Sequence, residues 1–327
     1  MSPTHAQNRT APTPTPPHKG EGKTGPLVWR DMDQRALDRA YDQAVYAPNR
    51  DQVLGRIAAA SERARKVLGA PQRMAYGPSE HERLDIYPAA AASSIAASGG
   101  AEGGGAPVNV FVHGGAWRGS SAAECAFTAE ALVGAGAHAV IIDFIATGDT
   151  AGDLTPIHRQ VSRALAWVWR NAASFGGDAE RLFVSAHSSG AHLAACALTT
   201  GWREEGLPSG FCKGALLIGG MYDLAPVRRS SRSTYVAFTD AVEQNLSPVR
   251  HVDGLATPLI LAHGSAESPE FERQTRDFLA AVTGAGKPAE LLVGEGYNHF
   301  DLFETLANPY GLLGRARLRQ MRLGGFR

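Results

Sequence analysis

From Val108 onward the chain carries a series of short apolar runs rich in β-branched residues: VNVFVHGG, HAVIIDF, RLFVSAH, GALLIGG, PLILAHG and AELLVGE. Helical patterns, with apolar residues three and four apart, separate most of them, including 155–174, 189–200 and 269–284. The apolar runs lack strict alternation, so each strand is expected to be covered on both faces. That is the signature of an α/β fold with a mostly parallel central sheet and helices on both faces. Upstream, HERLDIYPAA reads as a further strand, and WRDMDQRALDRAYDQAVYAPNR and DQVLGRIAAASERARKVLG read as helical segments separated by Pro48. These two segments, within 27–70, are placed to form a small helical cap over a site. Residues 89–107 contain the low-complexity run AAASSIAASGGAEGGGAP, whose Gly and Ala offer no packed face, and they are expected to form a surface loop. The first 26 residues are rich in Thr, Pro and Gly and are expected to be a disordered tail, leaving one domain over 27–327.

Charge narrows the range of partners. The chain has 32 Lys plus Arg against 32 Asp plus Glu, so no global field attracts nucleic acid or an anionic membrane. The expected partner is a small-molecule substrate, and a homodimer stays open because nothing in the sequence specifies an oligomeric state. The ending GRARLRQMRLGGFR is read as a last helix with Leu313, Leu318 and Met321 inward and its arginines solvated. Cys125, Cys196 and Cys212 form no CxxC pair, which argues against a zinc site or a disulfide framework and for a reducing, cytoplasmic setting. No secretory block or bilayer-length apolar stretch is present, and no metal or other cofactor is implied.

In a sheet of this kind chemistry gathers at the carboxyl ends of the strands. Those ends read HGGAW (113–117), SAHSSG (185–190), GGMYDL (219–224), HGSAESPEF (263–271) and GYNHFD (296–301). Ser188 is centred in small-x-Ser-x-Gly, between Ala186 and Gly190, which suits a sharp strand-to-helix turn presenting a nucleophile. Ser189 fits less well, with His187 before it and Ala191 after it. The plainer alternative makes SSG an ordinary helix N-cap. A serine nucleophile needs a base, an orienting acid and oxyanion donors. Backbone N–H groups of Gly114, Gly115 and Ala116, with that of Ser189, are the candidate oxyanion hole. His299, after the last strand, is the candidate base. Chain order favours Glu267 as the acid, with Asp223 the chief rival and Glu270 a weaker one. Trp117 and Tyr222 are candidate substrate-binding residues, and Trp29, Tyr41 and Tyr46 could line an entrance.

These motifs resemble the α/β-hydrolase superfamily, and within it the kynurenine formamidase (arylformamidase) branch. The resemblance rests on HGGAW, AHSSGAHLAA, MYDLAPV, SAESPEFERQ and NHFDLFETLANP, together with LDRAYDQAVYAP and ERLDIYP nearer the start, and runs from about Trp29 to Pro309. It implies an α/β-hydrolase fold, nucleophile Ser188, acid Glu267, base His299 and an oxyanion hole at Gly114 and Gly115. Two departures stand out. Ala186 replaces the usual first Gly of the turn, and Glu267 stands where the family more often has Asp. The implied activity is hydrolysis of a small aryl formamide or ester through an acyl-enzyme, with N-formylkynurenine the leading substrate. A carboxylesterase of other acyl specificity is one alternative, and a hydrolase fold used only to bind a small molecule is another. A metal-dependent formamidase lacks a ligand cluster of suitable spacing in this sequence.

Overall fold

The computed structural model describes residues 25–90, 105–200, 202 and 206–324. The expected tail up to residue 24 and most of the expected 89–107 loop therefore lie outside the described residues. Two short strands, β1 (Leu27–Trp29) and β2 (Met32–Asp33), pair antiparallel as a separate ribbon. The other eight form one sheet: β3 (Gln72–Ala75), β4 (Arg83–Tyr87), β5 (Ala106–Val112), β6 (His138–Ile142), β7 (Gly177–His187), β8 (Cys212–Ile218), β9 (Leu259–Gly264) and β10 (Ala289–Gly294). Their order is β10-β9-β8-β7-β5-β6-β4-β3. Every pair from β10 to β6 is parallel, and β4 and β3 add an antiparallel edge.

Side chains along the central strands alternate between two apolar layers. Val108, Val110 and Val112 of β5 enter one, and Phe111 enters the other; Ala215 and Leu217 of β8 are split in the same way from Leu216 and Ile218. Period-2 alternation between two buried faces is why the sequence shows continuous apolar runs. The helices Leu154–Asn171, Ser189–Thr199 and Pro269–Gly284 cover the first face, close to the spans read from periodicity. The second face is covered by the helices Arg50–Leu68, Glu130–Gly134 and Leu312–Gln320.

Two expectations need correction. The segment 27–70 does not act as one cap. The helix Gln34–Ala40 and the 3-10 turn Gln43–Tyr46 approach the site, whereas Arg50–Leu68 runs along the second sheet face, burying Val53, Ile57 and Ala64 there. Its apolar stripe needed a partner, and the sheet supplied one. In the last helix Leu313, Leu318 and Met321 are buried as expected, but so is Arg317, whose Nη2 donates to the carbonyls of Thr128 and Leu306. Among the described residues no helix is long and apolar enough to cross a membrane.

Buried histidines give the fold an acid-sensitive core. Burial pushes His158 and His192 down to about 4. His192 uses both ring nitrogens in its neutral form: Nδ1 accepts from Trp117 Nε1 at 3.2 Å and Nε2 donates to the Leu246 carbonyl at 2.7 Å. A proton therefore has no place on it without breaking the Trp117 bond. Between the ordinary histidine value of 6.5 and about 4 the unfolded chain binds protons that the folded chain does not. Stability should be full above that window and fall as pH drops through it. Urea titrations from pH 7 to pH 4 check this, and a constant midpoint would contradict it.

Candidate active site

Strand register brings the first two motifs together. Val112 of β5 pairs with Ala186 of β7, so two residues further on Gly114 faces Ser188. A Cβ on Gly114 would lie 3.1 Å from the Ser188 Cβ. Ser188 follows β7 with φ 56° and ψ −125°, outside the regions a side-chain-bearing residue normally occupies, and its N–H is tied to the Ile218 carbonyl at 2.7 Å. Such a backbone costs about 1–3 kcal/mol and persists where its neighbours over-determine it. Gly190 is one of those neighbours: a Cβ there would come within 2.3 Å of the Val112 and His113 carbonyls, so the glycine lets the helix Ser189–Thr199 start against β5. Ala186, in place of the usual glycine, is absorbed at 0 % exposure between Val112 and Leu217.

The two serines differ in what they do. Ser188 lines a cavity of about 620 Å³ with His299, Gly115 and Ala116. The Ser189 hydroxyl is buried and accepts the Trp117 N–H at 3.2 Å, which holds the HGGAW turn in place. That turn has positive φ at Gly115, Ala116 and Trp117 in succession. It carries its backbone along the cavity wall beside the start of the Ser189 helix, an arrangement suited to gathering N–H donors around an anion.

His299 begins the helix His299–Glu304, whose N-terminus Asn298 caps by accepting from the N–H groups of Phe300 and Asp301. Its Nδ1 donates to Glu267 Oε2 at 2.8 Å, with both side chains almost fully buried. Holding the proton on Nδ1 leaves Nε2 as the acceptor. Glu267 receives two more hydrogen bonds: from the Gly264 N–H to Oε1 at 2.9 Å and from Gln43 Nε2 to Oε2 at 3.0 Å. The rival acids are engaged elsewhere. Asp223 caps the helix Leu224–Arg229 and pairs with Arg250, while Glu270 pairs with Arg273 and accepts from the Tyr41 hydroxyl. His187 stacks on Phe303 at 4.0 Å beside His299, and burial, then the neighbouring imidazole, holds it well below the usual histidine range. It is thereby an uncharged neighbour to His299.

Gly219 makes room for this pair. It follows β8 with φ 54°, and a Cβ on it would lie 2.8 Å from the His299 ring and 3.1 Å from Glu267 Oε2. No local pattern distinguishes it from the other glycines of the chain. Gln43 was equally hidden, because its contact with Glu267 spans 224 positions.

Trp117 and Tyr222 are not walls of this cavity. Trp117 is 2 % exposed, with its Nε1 donating to His192; Tyr222 is 1 % exposed and stacks on Phe278 at 4.4 Å. Both sit beside site motifs in the sequence but turn into the first core layer. Of the N-terminal aromatics only Tyr41 reaches the cavity, where Tyr235 and Phe300 join it. Trp29 lies under the guanidinium groups of Arg229 and Arg273 instead. A second cavity of about 640 Å³, lined by Thr155, His158 and His251 among others, contains neither serine nor the His299 pair. Among the described residues no group of three His, Cys, Asp or Glu side chains is arranged to hold a metal ion.

Comparison with known proteins agrees with this architecture. The BD-FAE family matches residues 97–208, which include both the HGGAW turn and the Ser188 turn. Kynurenine formamidase of Danio rerio is 28% identical over 305 residues, covering 90% of this chain and 98% of that protein. An isoprenylcysteine alpha-carbonyl methylesterase of Arabidopsis thaliana is 27% identical over 250 residues, covering 70% of this chain and 56% of that protein. Among solved structures, a putative thioesterase from Silicibacter superposes with TM-score 0.70 at 23% identity, covering 85% of this chain and 97% of that one. An esterase of Thermogutta terrifontis superposes with TM-score 0.61 at 22% identity, covering 78% and 95%. The fold is that of the α/β hydrolases, and the similarity to kynurenine formamidases spans nearly the whole chain.

Gln43 offers a direct test of the Glu267 network. A hydrogen bond to a charged group is worth about 1.5–3 kcal/mol, and only the share felt in the transition state lowers kcat. Gln43→Ala should reduce kcat by roughly 3- to 30-fold with little change in KM. Gly219→Ala should cost more, since the added methyl displaces the imidazole itself. Steady-state kinetics across pH checks both, and an unchanged kcat in both variants would contradict the network.

Proposed function

We propose that this chain is a serine hydrolase that cleaves a small aryl formamide or aryl ester through an acyl-enzyme, with N-formylkynurenine as the leading substrate. The observation that carries the reading is the convergence on one cavity of a strained serine, a backbone turn rich in positive φ, and a histidine bonded to a buried carboxylate. Similarity to kynurenine formamidases over 90% of the chain supports the choice of substrate.

In this mechanism the Ser188 Oγ attacks the formyl carbonyl while His299 Nε2 takes its proton. The resulting imidazolium is stabilised by Glu267. Negative charge on the carbonyl oxygen is met by N–H groups of the Gly114–Ala116 turn and of Ser189. The tetrahedral intermediate collapses as His299 returns the proton to the aniline nitrogen, breaking the C–N bond and leaving a formyl ester on Ser188. Water, deprotonated by His299, then attacks this ester and releases formate. Nothing in these steps requires a cofactor. Tyr235 and Phe300 offer the leaving group an aromatic wall, worth roughly 1–3 kcal/mol by apolar burial and stacking.

The same machinery hydrolyses carboxylic esters, and the similarity to methylesterases over 70% of the chain favours carboxylesterase activity as the second reading. A purely binding role is less well supported, because no member of the serine, histidine and acid set is missing.

Kinetics with N-formylkynurenine and with matched aryl and alkyl esters of one acyl group test the proposal. Turnover of N-formylkynurenine and a higher kcat/KM for the aryl ester are expected. Ser188→Ala should abolish turnover, whereas Ser189→Ala should keep a substantial part of it, since it loses one bond to the turn but keeps its backbone N–H. Glu267→Gln should lower kcat by orders of magnitude and Asp223→Asn far less. Full activity in Ser188→Ala, or the reverse ranking of the two acids, would contradict the assignment.

A further inference from the structure

We propose that Arg232 is a receptor for a carboxylate on the substrate, so that this site selects anionic aryl formamides or esters over neutral ones. The proposal rests on the hydrolase reading above and adds a specificity determinant to it. Arg232 lies in the 3-10 turn Ser231–Thr234, lines the cavity that holds Ser188, and is 8 % exposed. Its Nη1 donates to the Tyr235 hydroxyl and its Nη2 to the Tyr41 carbonyl, each at 2.8 Å, and its guanidinium rests over the Trp117 ring at 5.6 Å. All three neighbours are neutral. Its Nε is buried without a hydrogen-bond partner, and among the described residues no carboxylate pairs with it. A desolvated cation without a counter-charge is costly to keep, and a bound anion removes that cost.

The other charges around the cavity do not answer it. Asp42 is exposed and uses Oδ1 to cap the Ala44 N–H. Glu267 is bonded to His299, Gln43 and Gly264. Arg50 already has an acid neighbour in Asp51 at 3.6 Å. Arg118, exposed at the cavity wall and 4.7 Å above the Tyr235 ring, adds a second cation on the side of Arg232. Arg317, the other deeply buried arginine among the described residues, differs in place: it donates to two carbonyls within the second core layer rather than at the cavity that holds Ser188.

The position is also fixed relative to the reacting centre. Tyr41, which holds one end of the guanidinium, lies two residues before Gln43 and so is tied to Glu267. Trp117, beneath the guanidinium, continues the turn that faces Ser188 and is pinned by Ser189. A carboxylate on Arg232 would thus hold the scissile carbonyl at a set distance from Ser188, and a planar guanidinium suits a planar carboxylate.

The test uses an N-formylaniline with a short side chain ending in a carboxylate, and the same compound with a primary carboxamide there. In the wild-type protein kcat/KM for the carboxylate should exceed that for the carboxamide by about tenfold or more, the scale of one charge-assisted hydrogen-bonded pair. In Arg232→Gln the ratio of the two constants should fall toward one, with circular dichroism reporting the fold. If that variant does not fold, or neither compound turns over, protection of the wild-type protein from a fluorophosphonate probe decides. Non-hydrolysable aryl carboxylates should then protect Ser188 at lower concentration than their amides. Equal constants in the wild type, a folded Arg232→Gln that keeps its preference, or equal protection would overturn the inference. Labelling at Ser188 is read separately: labelling without a carboxylate preference sinks this inference alone, and no labelling at all sinks the hydrolase reading as well.

Discussion

The buried hydrogen bond between His299 and Glu267 is the interaction around which the site is built. Three donors converge on one carboxylate from three parts of the chain: the last residue of β9, the helix after β10 and the N-terminal 3-10 turn. A carboxylate with so little exposure stays acceptable because each of its oxygens is engaged. The pair also needs space, which Gly219 supplies by having no side chain where the imidazole sits. Remove any of these and the imidazole loses its tautomer, its orientation or its room.

The sheet provides the rest. Six parallel strands place their carboxyl ends along one edge, and the reversal of strand order at β5 and β7 sets Gly114 beside Ser188. The strained backbone at Ser188 is held by a hydrogen bond to β8 and by the close contact of Gly190 with β5. Strain at Ser188 is therefore held by contacts with the two strands that flank β7. The N-terminal segment closes the other side: Gln43 donates to Glu267, and the Tyr41 carbonyl holds Arg232 of the Ser231–Thr234 turn at the cavity wall.

Much of this was legible in the sequence, for physical reasons that also set the limits. Central strands show as continuous apolar runs because both their faces are buried, and the helices show through their apolar stripes. The turn at Ser188 was legible because it demands small neighbours at fixed offsets, and the place of His299 after the last strand because chain order restricts where a histidine can join such a site. Gln43, Gly219 and Arg232 were not, since each matters through contacts between segments far apart in sequence. Trp117 and Tyr222 were misread because adjacency to a motif does not say which way a side chain turns; each found a core partner, His192 and Phe278. The helix Arg50–Leu68 was recognised as a helix, but its periodicity could not say which surface it would cover.

The central claim is that Ser188, activated by the His299–Glu267 pair, becomes acylated during turnover. Rapid quenching of the enzyme with a p-nitrophenyl ester, followed by intact mass measurement and peptide mapping, tests it most directly. The account predicts a burst of p-nitrophenol and a mass increase equal to one acyl group, located on Ser188. No adduct at any quench time, or an acyl group found on Ser189 or on a cysteine, would contradict it.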